Sequence, residues 1–301
     1  MNAFVFRMVH VNGLSIRTAV RPGNPHKTPL IVFNGIGASL DLVIPFVQEL
    51  DDDQEVIAFD VPGVGGSPAP VFPYTFGKLA STVAQMLDAL GYDQVNVIGI
   101  SWGGFLAQQF AKDYPRRCRR LILAATSAGV LSVPPSLKVL QLMASPRRYT
   151  DPEYGASIAP HIYGGSFRDN PELCATHFQK MKSASPDRGY RYQGLAVWGW
   201  TSAHWLHRIE QPTLVLAGND DPIIPLINMQ TIARRIPNSE LHVIDDGHLF
   251  LVTQAKTVAP LVTGFLSAVA PVTERPSFAS HADAHRAAEL ADQYERTMSI
   301  L

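Results

Sequence analysis

A serine set between glycines, where an apolar run gives way to a helical one, is the first residue of this sequence whose surroundings point to chemistry. Gly99-Ile100-Ser101-Trp102-Gly103 closes the run Val95, Val97, Ile98, Ile100 and opens a stretch with helical periodicity near 102–114. A strand-to-helix turn of the G-x-S-x-G kind needs small neighbours so that the serine hydroxyl projects above the strand. At this glycine and serine content the pattern arises by chance in roughly one chain in ten, so its setting carries the argument. A serine hydroxyl is a poor nucleophile at neutral pH. A base must take its proton, and a third group must hold that base in one tautomer.

Both partners are found downstream. The apolar run Pro212 to Ala217 leads into Gly218-Asn219-Asp220-Asp221-Pro222, and the run Glu240 to Ile244 leads into Asp245-Asp246-Gly247-His248. Of ten histidines, only His248 follows a late strand through a glycine turn. His242 lies within that strand and reads as a residue of the sheet face. His204 and His207 share a spacing but have no third ligand in sight, so a metal site is not expected there. The oxyanion of a tetrahedral intermediate needs main-chain donors, each worth about 3 kcal/mol in comparable enzymes. Asn34-Gly35-Ile36-Gly37, directly after Ile31 to Phe33, can present the Ile36 N–H, and Trp102 N–H supplies the second. Asp60-Val61-Pro62-Gly63-Val64-Gly65-Gly66-Ser67 is a further Gly-rich loop, but it lacks the lysine of a phosphate cradle and reads as a tight structural turn.

Loops of this kind need a rigid frame. Phe4 to Val11 and Leu14 to Arg21 flank Asn12-Gly13 and predict a β-hairpin. Beyond it, Pro29 to Phe33, Glu55 to Phe59, Gln94 to Ile100 and Leu121 to Thr126 read as strands, alternating with helical periodicity near 40–50, 75–91 and 102–114. Such alternation predicts a mostly parallel sheet with helices on both faces. The series pauses over 129–208, a segment rich in proline and aromatics that reads as a lid (cap) insertion. Residues 1–128 and 209–270 then form the core, and 271–301 a polar tail with an amphipathic pattern from His285 to Met298. Three of the four tryptophans, Trp198, Trp200 and Trp205, fall in the insertion. A segment inserted there would stand over the strands' carboxyl ends, so the three are candidate substrate-binding residues.

The chain order Ser, Asp, His belongs to the α/β-hydrolase fold and not to the chymotrypsin or subtilisin types. In that fold the acid recurs three residues after a glycine and four before a proline, which prefers Asp221 to Asp220, with Asp245 and Asp246 as fallbacks. Several runs allow a narrower assignment. FNGIG at 33–37, AFDVPGVGGS, GISWGGFLAQQFAKDYP, MASPRRY, WTSAHWLHRIEQPTLVLAGNDDPIIPLINM and IDDGHLFL closely resemble the intracellular medium-chain-length polyhydroxyalkanoate depolymerases of pseudomonads, from about residue 4 to 268. The resemblance implies hydrolysis of a bacterial storage polyester to 3-hydroxy acids at granule surfaces. It implies catalytic Ser101, Asp221 and His248, oxyanion donors Ile36 and Trp102, and no cofactor or metal. Most relatives carry His-Gly where this chain has Asn34-Gly35, a departure that concerns how the loop is braced and not the main-chain donor. Four extra methylenes in a pentyl over a methyl side chain, at ~0.8 kcal/mol each, would give about 3 kcal/mol of discrimination if buried.

Composition limits the alternatives. An apolar content of 46% with 17% charged residues supports a folded core. A balance of 25 basic to 26 acidic side chains offers no long-range attraction to nucleic acid or anionic lipid. The N-terminus lacks the apolar core of a secretory signal, and no run reaches a membrane span, so a cytoplasmic protein is expected, which the resemblance would set at the granule surface. Cys118 and Cys174 are expected as reduced thiols. Rival functions use the same residues or discard them: an acyltransferase, in which an alcohol or thiol replaces water; a general medium-chain carboxylesterase with the same triad; and a silent granule-binding protein, which would have no need of the triad filled here.

Overall fold

Asn12 and Gly13 both take positive φ, 50° and 71°, and this turn folds β1 (Val5–Val11) back on β2 (Leu14–Arg21) in antiparallel register. The computed structural model describes residues 3–145, 147, 151–181 and 188–268, the side chains of 177–181 excepted. The sequence-predicted tail 271–301, with its helix over 285–298, lies outside the described residues.

Beyond the hairpin, β2 pairs antiparallel with β4 (Val56–Phe59), and the remaining pairings are parallel: β3 (Leu30–Phe33), β5 (Val95–Ile100), β6 (Cys118–Ala124), β7 (Thr213–Gly218) and β8 (Ser239–Ile244). The eight strands lie in the order β1-β2-β4-β3-β5-β6-β7-β8. Every residue of β3, β4 and β7 is buried, as strands covered on both faces must be. Successive strands are added on one side of β3 up to β4 and on the other from β5 onward. The loops leaving β3 and β5 therefore part company, and the crevice between them is where such sheets bind ligands.

One face is covered by α2 (Phe76–Leu90) and α3 (Trp102–Asp113), whose Phe76, Leu106 and Phe110 are fully buried, together with α8 (Leu226–Arg235). The other carries α1 (Ile44–Gln48), α9 (Phe250–Thr253) and α10 (Ala255–Ser267), which contribute Phe46, Phe250 and Val262. Thr75 caps α2 by accepting from Lys78 N–H, and Gly91 ends it in the left-handed conformation. The helix expected over 40–50 is broken into a 3-10 turn at Leu40–Leu42 and the five residues of α1. Pro45 in the first turn of α1 has no N–H to continue a ladder from the preceding turn.

Between β6 and β7 stand α4 (Leu137–Ala144), α5 (Pro152–Tyr163), α6 (Pro171–Met181) and α7 (Arg188–Val197). The first three share a small core of Val139, Ile158, Ile162, Phe167 and Cys174, which extends to Ile223 in the loop after β7. Cys118 and Cys174 are free and buried, and burial raises both thiol pKa values. No helix among the described residues is long and apolar enough to cross a membrane.

Candidate active site

Ser101 sits at the corner between β5 and α3 with φ 51° and ψ −117°, a strained conformation that lifts its side chain off the sheet. Hydrogen bonds hold the corner in place: Ser101 N–H donates to Ala124 O at 2.9 Å, and Thr126 Oγ1–H donates to Ser101 O at 2.8 Å. The helix passes so close to β3 that a β-carbon on Gly103 would lie 2.0 Å from Phe33 O. Only glycine allows that approach.

Two distant loops bring their side chains to this corner. His248 Nε2 lies 3.0 Å from Ser101 Oγ, and His248 Nδ1 lies 2.7 Å from Asp221 Oδ2. The Asp221 side chain is 1% exposed and that of His248 6%. Asp221 Oδ1 accepts from both Ile223 N–H and Ile224 N–H at 2.9 Å. With three donors around it, the carboxylate is fixed in direction. It then selects the tautomer with hydrogen on Nδ1, leaving Nε2 to accept from the serine hydroxyl.

The structure also sorts the other carboxylates. Asp220 pairs with Arg168 through two bonds, and the Arg168 guanidinium holds its carboxyl below the usual range. Asp246 accepts from Ser166 N–H, Ser166 Oγ–H and Gly247 N–H, while Asp245 accepts from Asn219 Nδ2–H. Gly165 N–H donates to Asp220 at 2.7 Å, and His248 N–H donates to Tyr163 O at 2.7 Å. The turn 163–168, in the segment between β6 and β7, thus fastens both the acid loop and the base loop. Sequence reasoning missed this brace, because its partners lie more than 50 residues apart in the chain and no local pattern joins them.

The loop after β3 faces the serine, since a β-carbon on Gly35 would lie 3.7 Å from Ser101 Cβ. Among the described residues neither Ile36 N–H nor Trp102 N–H has a protein acceptor, which leaves both available to an oxyanion. Asn34 braces the loop by donating from Nδ2 to Ser39 O at 2.8 Å. Asp60 ties the second Gly-rich loop to the same region by accepting from Gly66 N–H and Leu40 N–H, and its burial raises its pKa despite those donors.

A cavity of about 200 Å³ opens beside Ser101 and His248. Its walls are mostly apolar: Leu42, Val43 and Phe46 from the region of α1, Leu251 and Val252 from α9, and Met143 and Leu173 from the insertion. The apolar run straight after His248 was a legible signal for the α9 wall.

None of the three tryptophans lines this cavity. Trp200 packs on Phe76 and Phe105 with ring centroids 5.1 Å away in each case, and its indole N–H donates to Gln109. Trp205 is buried against Trp200, and Trp198 is 87% exposed. The cause is the path of the return segment, where Val130 N–H donates to Trp200 O and Ser202 N–H to Ala128 O. Those bonds lay Trp200 against α2 and α3, on Phe76 and Phe105. Among the described residues no cluster of His, Cys, Asp and Glu could hold a metal ion, and His204 and His207 form none.

Comparison with known proteins places this geometry in context. The sequence profile of the alpha/beta hydrolase fold matches residues 28–255. Over 263 residues the chain is 62% identical to a poly(3-hydroxyalkanoate) depolymerase of Ectopseudomonas oleovorans, covering 87% of this chain and 93% of the relative. A 3-oxoadipate enol-lactonase 2 of Acinetobacter baylyi is 28% identical, covering 77% of this chain and 86% of that protein. Among solved structures, a hydrolase from Pseudomonas aeruginosa superposes with a TM-score of 0.75 at 28% identity, covering 87% of this chain and 98% of its own.

Proposed function

Since this chain belongs to the alpha/beta hydrolase family, among the relatives of poly(3-hydroxyalkanoate) depolymerase, we propose that it hydrolyses the ester bonds of poly(3-hydroxyalkanoate) with Ser101 as nucleophile. The observation that carries the reading is the continuous line from Ser101 Oγ to His248 Nε2 at 3.0 Å and from His248 Nδ1 to Asp221 at 2.7 Å. Ser101 attacks the ester carbonyl while His248 takes its proton, and the oxyanion is received by Ile36 N–H and Trp102 N–H. His248 then protonates the leaving 3-hydroxyl. Water, activated by the same imidazole, releases the 3-hydroxy acid.

The apolar cavity beside Ser101 suits a side chain longer than methyl. Four additional methylenes buried at ~0.8 kcal/mol each amount to about 3 kcal/mol, or roughly a hundredfold in kcat/KM. Incubating the enzyme with purified polyesters bearing methyl or pentyl side chains, and identifying the acids released, measures this directly. The pentyl polymer is expected to be degraded in preference. Equal rates on the two would remove the cavity from the account.

A polymer reaches the enzyme as a surface, and the insertion offers a matching one. Leu195 and Trp198 stand exposed at the end of α7. Phe72, 77% exposed, belongs to the same region because Tyr192 Oη–H donates to Val71 O. Contiguous exposed apolar side chains mark an interaction site. Their proposed partner is the polyester of a storage granule inside the cell. The double substitution Phe72→Glu and Leu195→Glu is expected to abolish co-sedimentation with polymer granules while turnover of a soluble ester stays within about twofold. Unchanged sedimentation would assign granule contact to another face.

A further inference from the structure

Gln193 lies on α7, fully buried, and is bonded to both halves of the candidate oxyanion hole. Its side-chain Oε1 accepts from Gly37 N–H at 2.8 Å, the amide next after Ile36. Its main-chain carbonyl accepts from the indole N–H of Trp102 at 2.9 Å. One residue of the insertion therefore holds the neighbour of one donor and the side chain of the other. Because peptide planes are rigid, fixing Gly37 N–H fixes the plane joined to the Ile36 α-carbon. The amide cannot be turned round, since its NH2 would then oppose the Gly37 N–H.

In this orientation Nε2 of Gln193 has no hydrogen-bond partner among the described residues, although it is buried. A stranded buried donor is destabilising, and a methionine would fill similar space without it. Packing alone gives no reason for glutamine here. The bond to Gly37 does.

We propose that Gln193 is a positioning residue that sets the separation of the two oxyanion donors, Ile36 N–H and Trp102 N–H, so that the inserted segment takes part in transition-state stabilisation. Oxyanion donors act only when preorganised toward the developing charge, so a small displacement lowers kcat and leaves ground-state binding nearly untouched. The inference rests on the reading of Ser101 as nucleophile.

The test compares Gln193→Met, which loses the acceptor, with Gln193→Glu, which keeps one for Gly37 N–H, on a chromogenic medium-chain ester. Inhibition by an alkylboronic acid, whose adduct with the serine imitates the oxyanion, is measured alongside. Gln193→Met is expected to lower kcat about 10- to 100-fold with KM within about twofold, and to weaken the boronate by a like factor. Gln193→Glu is expected to recover most of kcat. A folded Gln193→Met with wild-type kcat, or one whose kcat falls while boronate affinity does not, overturns the proposal. If Gln193→Met does not melt cooperatively, Trp102→Phe removes the indole bond to Gln193 O along with part of the ring packed on Phe76, and the absence of the same parallel loss in kcat and boronate affinity there overturns it equally. Turnover surviving in Ser101→Ala would sink the nucleophile assignment itself, whereas an inactive Ser101→Ala beside a fully active Gln193→Met sinks this inference alone.

Discussion

Ser101→Ala is expected to lose about a million-fold in kcat on a chromogenic medium-chain ester, because it removes the only group on which the acyl-enzyme can form. Residual hydrolysis, from oxyanion donors and binding acting on water, should remain some 10³-fold or so above the uncatalysed reaction. The fold should survive. Ser101 hydrogen-bonds through its main chain to Ala124 and Thr126, and the substitution leaves both bonds in place. Among the described residues its side chain bonds to His248 alone, so the melting temperature is expected to move by less than about 2 °C. Turnover within tenfold of wild type would show that another serine carries the reaction. A collapsed melting transition would mean that the loss reports unfolding and not chemistry.

Asp221→Asn carries the second-largest expected effect, about 10⁴-fold in kcat with KM nearly unchanged, and the structure states why. Asp221 Oδ1 accepts from Ile223 N–H and Ile224 N–H, so an asparagine must keep its carbonyl oxygen there. Its NH2 then faces His248 Nδ1, which can no longer carry hydrogen and must become the acceptor. The imidazole proton moves to Nε2, where it opposes the Ser101 hydroxyl, and the base is lost. Asp220→Asn should not reproduce this, since Asp220 is engaged with Arg168 and Gly165 and not with the imidazole. A kinetic comparison of the two variants checks the assignment. Equal losses, or a larger one for Asp220→Asn, would overturn it.

Much of the site was legible because its parts are local. The elbow announces itself through small residues packed around a strained serine, and Gly103 is demanded by a contact with Phe33 that any side chain would block. The acid and the base follow strands, and each strand was visible as a short apolar run. The strands the periodicity predicted lie within one to three residues of those observed, β6 starting early at Cys118. The helix expected over 40–50 failed at Pro45. The place of the tryptophans was not legible for a different reason. Aromatic content in a segment between strands says that something is covered, but which surface is covered depends on where the segment's return is bonded, and Gly129 bridges Thr201 while Trp200 packs on α2 and α3.

The sequence by itself determined the element order, the alternation that makes a parallel sheet, and the three residue types at loop positions from which a serine, a base and an acid can meet. These follow from backbone preferences and apolar periodicity, which act over a few residues at a time. Only the tertiary structure decided what surrounds them: the turn 163–168 clamped to Asp220 and Asp246, the apolar walls beside Ser101, and Gln193 reaching Gly37 across 156 residues of chain. Gln193 is a polar residue on the buried stripe of α7, shared with Gly189 and Ala196. Its pattern marks an oddity without naming a partner. Hydrogen bonds between segments so far apart carry no local signature, because the free energy that selects them comes from burial and geometry that exist only once the sheet has brought the loops together.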